Sequence, residues 1–497
     1  MKLHRPSMIA RLREEVQWDV CIIGGGATGL GIAFEAASSG ISTLLIERDD
    51  FAKGTSSRST KLLHGGVRYL EQGKIALVKE ALRERDRVLH NAAGHVQSQG
   101  FVIPVKQRWR QVYYGLGLLC YDLLSGRRKW GRTTALTSAE LREKFPKVAD
   151  QGAIGGLRYS DGKFDDVGLA LSLAKAAADK GAVLVNHCSA VGINKTEGTI
   201  TGVTAKDHFS GESHDIQARV VINACGPFGD ALCRLDDPHH ENRLQPSQGI
   251  HLVFDGEVMP GEDAVLIPKT DDGRILFAVP WMGKVLVGTT DTALDEVTSE
   301  PLAQEDEIDF VLDHANRHLG LQLKRADIRS VFAGLRPLIK GRKDETSDLS
   351  RSHDVSMSPS GLINVRGGKW TTYRKMAEDT LAFIRRKKRL DFSPADTRYS
   401  RIVEGPLPDR IHVPQGDDEL RTAVAKAVDE EMCATVEDFL ARRFRTLFLD
   451  AKHAISLAPQ VAILLAETQG FSAEWAQKET ASFQQLAQGY LPQKIQP

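Results

Sequence analysis

The chain has 497 residues, 41% hydrophobic and 26% charged, with 65 basic residues balanced by 65 acidic ones. At roughly 150 residues per domain that length holds two or more domains, and a neutral balance argues against nucleic-acid binding, which tips a domain basic. Six cysteines without a CxxC pair fit reduced thiols in a cytosolic protein, and offer no spacing for a metal or iron–sulfur centre.

Residues 1–18 are charged, lack the apolar centre of a signal peptide and read as an N-terminal extension. No uninterrupted apolar run approaches the ~20 residues of a membrane span. The longest candidate, residues 112–124, is broken by Asp122. Residues 19–47 then read DVCIIGGGATGLGIAFEAASSGISTLLIE, an apolar strand entering a turn with Gly24, Gly26 and Gly29. A helix ending at Gly40 and a second strand ending at Glu47 follow. Gly24 permits a tight turn, Gly26 lets backbone approach a pyrophosphate, and Gly29 lets helix and strand pack closely. The helix N-terminus offers N–H donors to phosphate, and Glu47 stands where a ribose hydroxyl needs an acceptor. Strand, turn, helix, strand and acid occur in register, which predicts a dinucleotide site.

Residues 54–70, GTSSRSTKLLHGGVRYL, are dense in small hydroxyls and glycines suited to phosphate or ring contacts, or to an ordinary loop. Helical periodicity follows over 74–89 and 167–180, and strand-like runs over 183–186, 220–224, 251–254, 275–279 and 285–287. VVINACGP at 220–227 is a buried strand ending at Gly226. LINVRGGKWTTYRKM at 362–376 reads as strand, Gly367-Gly368 turn and helix, whose N-terminus suits a negative charge arriving on a reduced ring. A basic run at 385–389 and several prolines mark a linker over 390–415. Residues 416–497 read as a separate helical domain, with Thr435 and Ser472 as N-caps.

In this order the segments resemble the FAD-dependent glycerol-3-phosphate dehydrogenases of the respiratory type. The likeness runs through GGGATG at 24–29, TSSRSTKLLHGGVRYLE at 55–71 and YSDGKFDD at 159–166. It continues through VPWMGKVLVGTTD at 279–291, GLRPL at 334–338 and RGGKWTTYRKMAE at 366–378, and into FLARRFRTLFLDAKHAI at 439–455. The resemblance implies an α/β fold with a Rossmann-type FAD-binding domain of the glutathione-reductase-like, D-amino-acid-oxidase-like class. The oxidoreductase domain is expected over 19–389, its FAD-binding part at 19–108, 150–240 and 350–389. An α+β substrate-binding part is expected over 241–349.

The resemblance further implies non-covalent FAD held by Gly24, Gly26, Thr28, Gly29 and Glu47. It adds Thr55, Ser56, Ser57, Ser59, Lys61, His64, Gly65, Gly66, Gly226, Gly367, Gly368, Lys369 and Thr371. A substrate carrying phosphate needs cations, and the motifs implicate Arg68, Tyr69, His251, Arg336, Arg351 and Lys369. Arg matches phosphate oxygens as a planar fork, and Lys acts as a point charge. Catalysis is expected from His251, Arg336 and Lys369, with His251 taking the hydroxyl proton because an imidazole of pKa ~6.5 suits neutral pH. His64 is the competing base. Sn-glycerol 3-phosphate would become dihydroxyacetone phosphate by hydride transfer to FAD.

Electrons are expected to pass to a membrane quinone, which requires peripheral docking at the inner face of the cytoplasmic membrane. Residues 108–132 are the candidate segment, with Trp109, Tyr113, Tyr114, Tyr121 and Trp130 among leucines and basic residues at both ends. The alternatives are an oxidase using dioxygen, or an amine or amino-acid oxidase of the same fold. No nucleic-acid partner is expected, and a homodimer through the helical region is left open.

Overall fold

The computed structural model describes residues 3–71, 73–125, 130–340, 353–387, 389–403 and 410–492. Two sheets organise it. In the first, the Val20–Ile23 apolar run lies in strand Trp18–Ile23, flanked in parallel by Thr43–Ile46 and Ser213–Asn223. Ile363–Gly367 and Val183–Val185 extend the parallel sheet on either side, and His353–Met357 closes one edge antiparallel. Buried on both faces, the central segments Val20–Ile23, Thr43–Ile46 and 220–222 are near-continuous apolar runs. Helices Ala27–Ser38, Asp166–Asp179 and Tyr373–Arg386 cover the sheet. The Rossmann-type arrangement is therefore present.

The second sheet is mixed. Leu244–Asp255 is its longest strand, paired antiparallel with Ser330–Ile339 and Lys284–Gly288. Val96–Val105 and Gly155–Phe164 belong to this sheet and pair with each other antiparallel. The part expected to bind FAD, 19–108 and 150–240, therefore includes strands of the second sheet. Val96–Val105 reaches the substrate-side strands through Ala264–Ile267, a non-local pairing that apolar periodicity does not encode.

The C-terminal helices Asp417–Glu431, Ala451–Gln469 and Ala473–Gln488 form where expected, and the Ser472 and Thr435 hydroxyls accept N–H groups of Trp475 and Asp438. Their core is not separate. Val253, Trp281, Leu286 and Phe332 from the second sheet pack into it with Phe439, Phe448 and Leu465. The N-terminal helix Arg5–Glu14 is anchored by Arg5, which donates to Asn186 O and Asp207. All six cysteines are free.

His95 lies behind the Asp166–Asp179 helix, 7% exposed, with Nε2 2.7 Å from Ser172 Oγ and Nδ1 4.0 Å from Asp165 Oδ2, beyond hydrogen-bond reach. Burial, then the Arg445 and Arg410 charges, outweigh Asp165 and lower its pKa to about 4. In the unfolded chain it would gain a proton near pH 6.5, so its contribution is complete above that and is lost as pH falls toward 4. By pH 5 the loss is about 2 kcal/mol. Urea unfolding at pH 7 and pH 5 checks this: His95→Gln is expected to lose less stability over that interval than the native chain.

Candidate active site

The glycine turn opens a cavity of about 420 Å³ between the C-terminal ends of the parallel strands. Gly24 has φ +112°, and a Cβ there would lie 2.6 Å from Ala224 O. At Gly29 a Cβ would lie 1.8 Å from Gly24 O, so only hydrogen lets the helix start against the turn. The Ala27–Ser38 helix has Gly26 at its N-cap, without a capping side chain of its own. Ser56 Oγ, from the hydroxyl-rich loop, instead accepts the Ala27 N–H at 2.9 Å.

Glu47 Oε2 accepts Gly25 N–H at 2.6 Å and Oε1 accepts Asp49 N–H at 2.8 Å. Burial raises its pKa against those bonds. Each oxygen keeps a lone pair for a ribose hydroxyl. Gly24, Gly26, Thr28, Glu47, Thr55, Ser56, Gly226, Gly367, Gly368 and Lys369 all border this one cavity. They come from four separated segments. The cradle is glycine-lined and bordered by the Glu47 carboxylate and by Lys369, and it fits a dinucleotide.

Other expected cofactor residues stand behind that wall. Ser57 Oγ donates to Lys53 O, and Ser59 Oγ donates to Asp166 at 2.7 Å. Lys61 is fully buried, its Nζ donating to Ser57 O at 2.6 Å and paired with Asp166 at 2.8 Å. The rings of Trp281, Phe332 and Phe448 stand 5.0–5.4 Å from the same ammonium. The side chains of Ser57, Ser59 and Lys61 are thus bonded within the loop's own framework and to Asp166. Gly65 N–H donates to Tyr121 Oη at 2.7 Å, Gly66 packs under the Tyr69 ring, and His64 beside them is half-buried. Thr371 is buried at the start of the Tyr373–Arg386 helix.

The second sheet supplies the cations and the imidazole. His251 pairs across the sheet with Phe332, and Ser247 with Arg336. The His251 ring stacks on Phe332 at 4.9 Å and 16°. Its Nε2 is 3.0 Å from Thr60 Oγ1, and its Nδ1 has no partner among the described residues. Burial first, then the charges of Lys61 and Arg336, lower its pKa to about 3. That corrects the expectation of an unperturbed imidazole. Arg336 is held by Asp291 Oδ1 and Thr289 Oγ1, both at 3.0 Å, and its neighbour Pro337 borders the cavity. Lys369 Nζ lies 4.2 Å from the Tyr69 ring centroid. Arg351 lies outside the described residues, as does the side chain of Arg68.

Several residues were not anticipated. Arg48 stacks on Phe228 at 4.7 Å, and both border the cavity. Trp370, also on its border, donates Nε1–H to Ser56 O at 2.8 Å and fastens the second glycine turn to the hydroxyl loop. Trp370 sits within the GGKWTT segment, which was its available signal.

Residues 19–374 match the family described as FAD dependent oxidoreductase, and residues 403–476 match the C-terminal domain of alpha-glycerophosphate oxidase. The mitochondrial glycerol-3-phosphate dehydrogenase of Bos taurus is 34% identical, over 93% of this chain and 72% of that protein. That of Arabidopsis thaliana is 34% identical over 90% and 82%. The structure of the Bacillus halodurans glycerol-3-phosphate dehydrogenase complexed with FAD is similar at TM-score 0.78 and 29% identity, over 98% of this chain and 97% of that one. The FAD-bound L-α-glycerophosphate oxidase of Mycoplasma pneumoniae, 18% identical, shares the fold at TM-score 0.61. Its cofactor is FAD, and the chain belongs to the FAD-dependent glycerol-3-phosphate dehydrogenase family.

Proposed function

We propose that this enzyme oxidises sn-glycerol 3-phosphate to dihydroxyacetone phosphate and passes the electrons to a membrane quinone. The observation that carries the substrate assignment is the placement of Arg336 and His251 on the paired strands Ser330–Ile339 and Leu244–Asp255, next to a glycine-lined cradle bordered by Pro337 and Lys369. Relatives named for the same substrate support it. When bound, FAD supplies the acceptor for two electrons and the C2 hydrogen.

Arg336 and Lys369, with Arg68 and Arg351 from matching motifs, are proposed to bind the phosphate dianion. Tyr69 orients Lys369, its ring lying under the ammonium. Neutral His251 accepts the hydroxyl proton, and Thr60 orients the ring through Nε2. Substrate phosphate offsets the two cations that depress the imidazole, so its proton affinity rises when substrate is present.

The acceptor reading rests on the helix Arg108–Leu124. Trp109, Val112, Tyr113, Leu116, Leu119 and Leu123 are each 51–80% exposed, at helical spacing along one stripe. Leu118 and Tyr121 on the opposite face are buried. Arg108, Arg110 and Arg132 flank the stripe, exposed. An apolar stripe with cations at its ends suits shallow insertion into an anionic bilayer. No helix among the described residues is long and apolar enough to cross a membrane. We place the protein at the inner face of the cytoplasmic membrane.

Sedimentation with anionic liposomes tests this. The native chain is expected to co-sediment at low salt, and Leu116→Asp with Leu123→Asp to remain in the supernatant. Equal behaviour of the two would contradict docking through this helix. Reoxidation of the reduced enzyme by a quinone analogue is expected to outrun reoxidation by dioxygen; the reverse order would favour an oxidase.

A further inference from the structure

The Arg108–Leu124 helix turns Tyr121 inward, on the face opposite its exposed stripe. The hydroxyl donates to Asp161 Oδ2 at 2.6 Å and accepts the Gly65 N–H at 2.7 Å. Asp161, on strand Gly155–Phe164, accepts Arg85 Nη1 at 2.8 Å through its other oxygen. Arg85 comes from the helix Ile75–Asn91, and its guanidinium lies 4.6 Å from the Trp130 ring centroid. Tyr121, Asp161 and Arg85 are all buried. A guanidinium, a carboxylate, a hydroxyl and one backbone N–H thus form a chain across two helices, a strand and a turn.

A tyrosine hydroxyl has one proton to give. Given to Asp161, it leaves the oxygen lone pairs for the Gly65 N–H, so the direction of each bond is fixed. Burial, then the Asp161 charge, hold the Tyr121 pKa well above its ordinary value, and the proton stays on the oxygen. The turn itself is closely fitted. A Cβ on Gly65 would lie 2.5 Å from Leu82 Cδ2 and 2.7 Å from Tyr121 Oη. Gly66 follows at φ +78°, where a Cβ would lie 2.4 Å from the Tyr69 ring. The centroid of that ring is 4.2 Å from Lys369 Nζ, and Lys369 borders the cofactor cavity. Contacts therefore run in series from Tyr121 through the turn and Tyr69 to Lys369.

We propose that Tyr121 is a positioning residue for the reaction: its hydroxyl, oriented by Asp161, holds the Gly65–Gly66 turn so that Tyr69 keeps Lys369 on the substrate phosphate. This rests on the assignment of Lys369 to the phosphate made above. Tyr121 does not border the cofactor cavity and acts through the turn. Without the hydroxyl, the Gly65 N–H would be buried with no acceptor, and the turn would shift to recover one. The Tyr69 ring would shift with it. Lys369 holds a phosphate that does not react, so the loss falls on substrate binding and not on the limiting rate.

Anaerobic flavin reduction by glycerol 3-phosphate, followed in the FAD-loaded enzyme, tests the proposal. Tyr121→Phe keeps the ring and is expected to raise the half-maximal substrate concentration about fivefold, with less than about a twofold change in limiting rate. Tyr69→Leu is expected to raise it about tenfold, and the double variant no further, because the two residues act in series. General loss of stability would not produce that non-additivity. Should Tyr121→Phe not hold flavin, Gly65→Ala replaces it, crowding the turn from the same side. The same rise is expected there, and an unchanged value would overturn the proposal. So would an unchanged half-maximal concentration in Tyr121→Phe, or a double variant raised about fiftyfold, the product of independent effects. A native enzyme that glycerol 3-phosphate does not reduce would instead overturn the substrate reading on which the proposal rests.

Discussion

Replacing Asp50 with alanine is expected to cost about 3–5 kcal/mol of stability, the range for breaking a buried ion pair from one side. Asp50 is fully buried and accepts from Arg442 Nε at 2.6 Å, from both terminal nitrogens of Arg443, and from Asn186 Nδ2 at 3.0 Å. Arg442 would keep Glu437 and Asp438 as partners. Arg443 would lose both carboxylate oxygens while fully buried, keeping Glu431 O and a Glu431 carboxylate 3.9 Å away. The consequence reaches the cofactor. Asp50 lies three residues after Glu47, Ala52 N–H donates to Gly25 O at 2.9 Å, and Lys53 borders the cavity while pairing with Glu437 at 2.9 Å. One short loop is thus fastened to the glycine turn on one side and to the C-terminal helices on the other. Urea unfolding and flavin retention after gel filtration check both effects. A loss below about 1 kcal/mol, the level of an exposed ion pair, would contradict them.

The second large effect is on rate. His251→Ala is expected to slow anaerobic flavin reduction by roughly 10²–10⁴-fold, the range for removing a general base. FAD should stay bound, because His251 lies on the second sheet and does not border the cofactor cavity. With a pKa lowered to about 3 in the free enzyme, the imidazole is neutral near pH 7 and in the accepting form before substrate binds. The rate dependence on substrate concentration at low substrate should therefore show no acid limb near pH 6.5 arising from this residue. A limb there that His251→Ala abolishes would contradict the depressed value, and unchanged reduction kinetics would remove His251 from the role.

The cofactor cradle was legible because its requirements are local. A turn at φ +112°, a helix starting against backbone and an acid closing a strand each demand a residue type at fixed spacing, as Gly24, Gly29 and Glu47 supply. The second glycine turn at Gly367 and Gly368 was readable for the same reason. The buried charge network was not. In the sequence, Arg442, Arg443 and Arg445 look like a solvated basic run, and nothing nearby signals that their partners are Asp50 and Asp165, roughly 280–390 residues away by chain. The Ser57-Ser59-Lys61 cluster shows a further non-local partner. Ser59 Oγ and Lys61 Nζ both donate to Asp166, about a hundred residues on, while Ser57 Oγ donates to Lys53 O within its own loop. Neither 96–105 nor 155–164 is read as a strand from sequence, and it is antiparallel pairing between these two that places them in the second sheet.

The most direct measurement is anaerobic titration of the purified, yellow protein with glycerol 3-phosphate. The account predicts that the visible flavin band bleaches in proportion to added substrate, with dihydroxyacetone phosphate recovered in equal amount. A flavin that stays oxidised under glycerol 3-phosphate but bleaches with amino acids would contradict it.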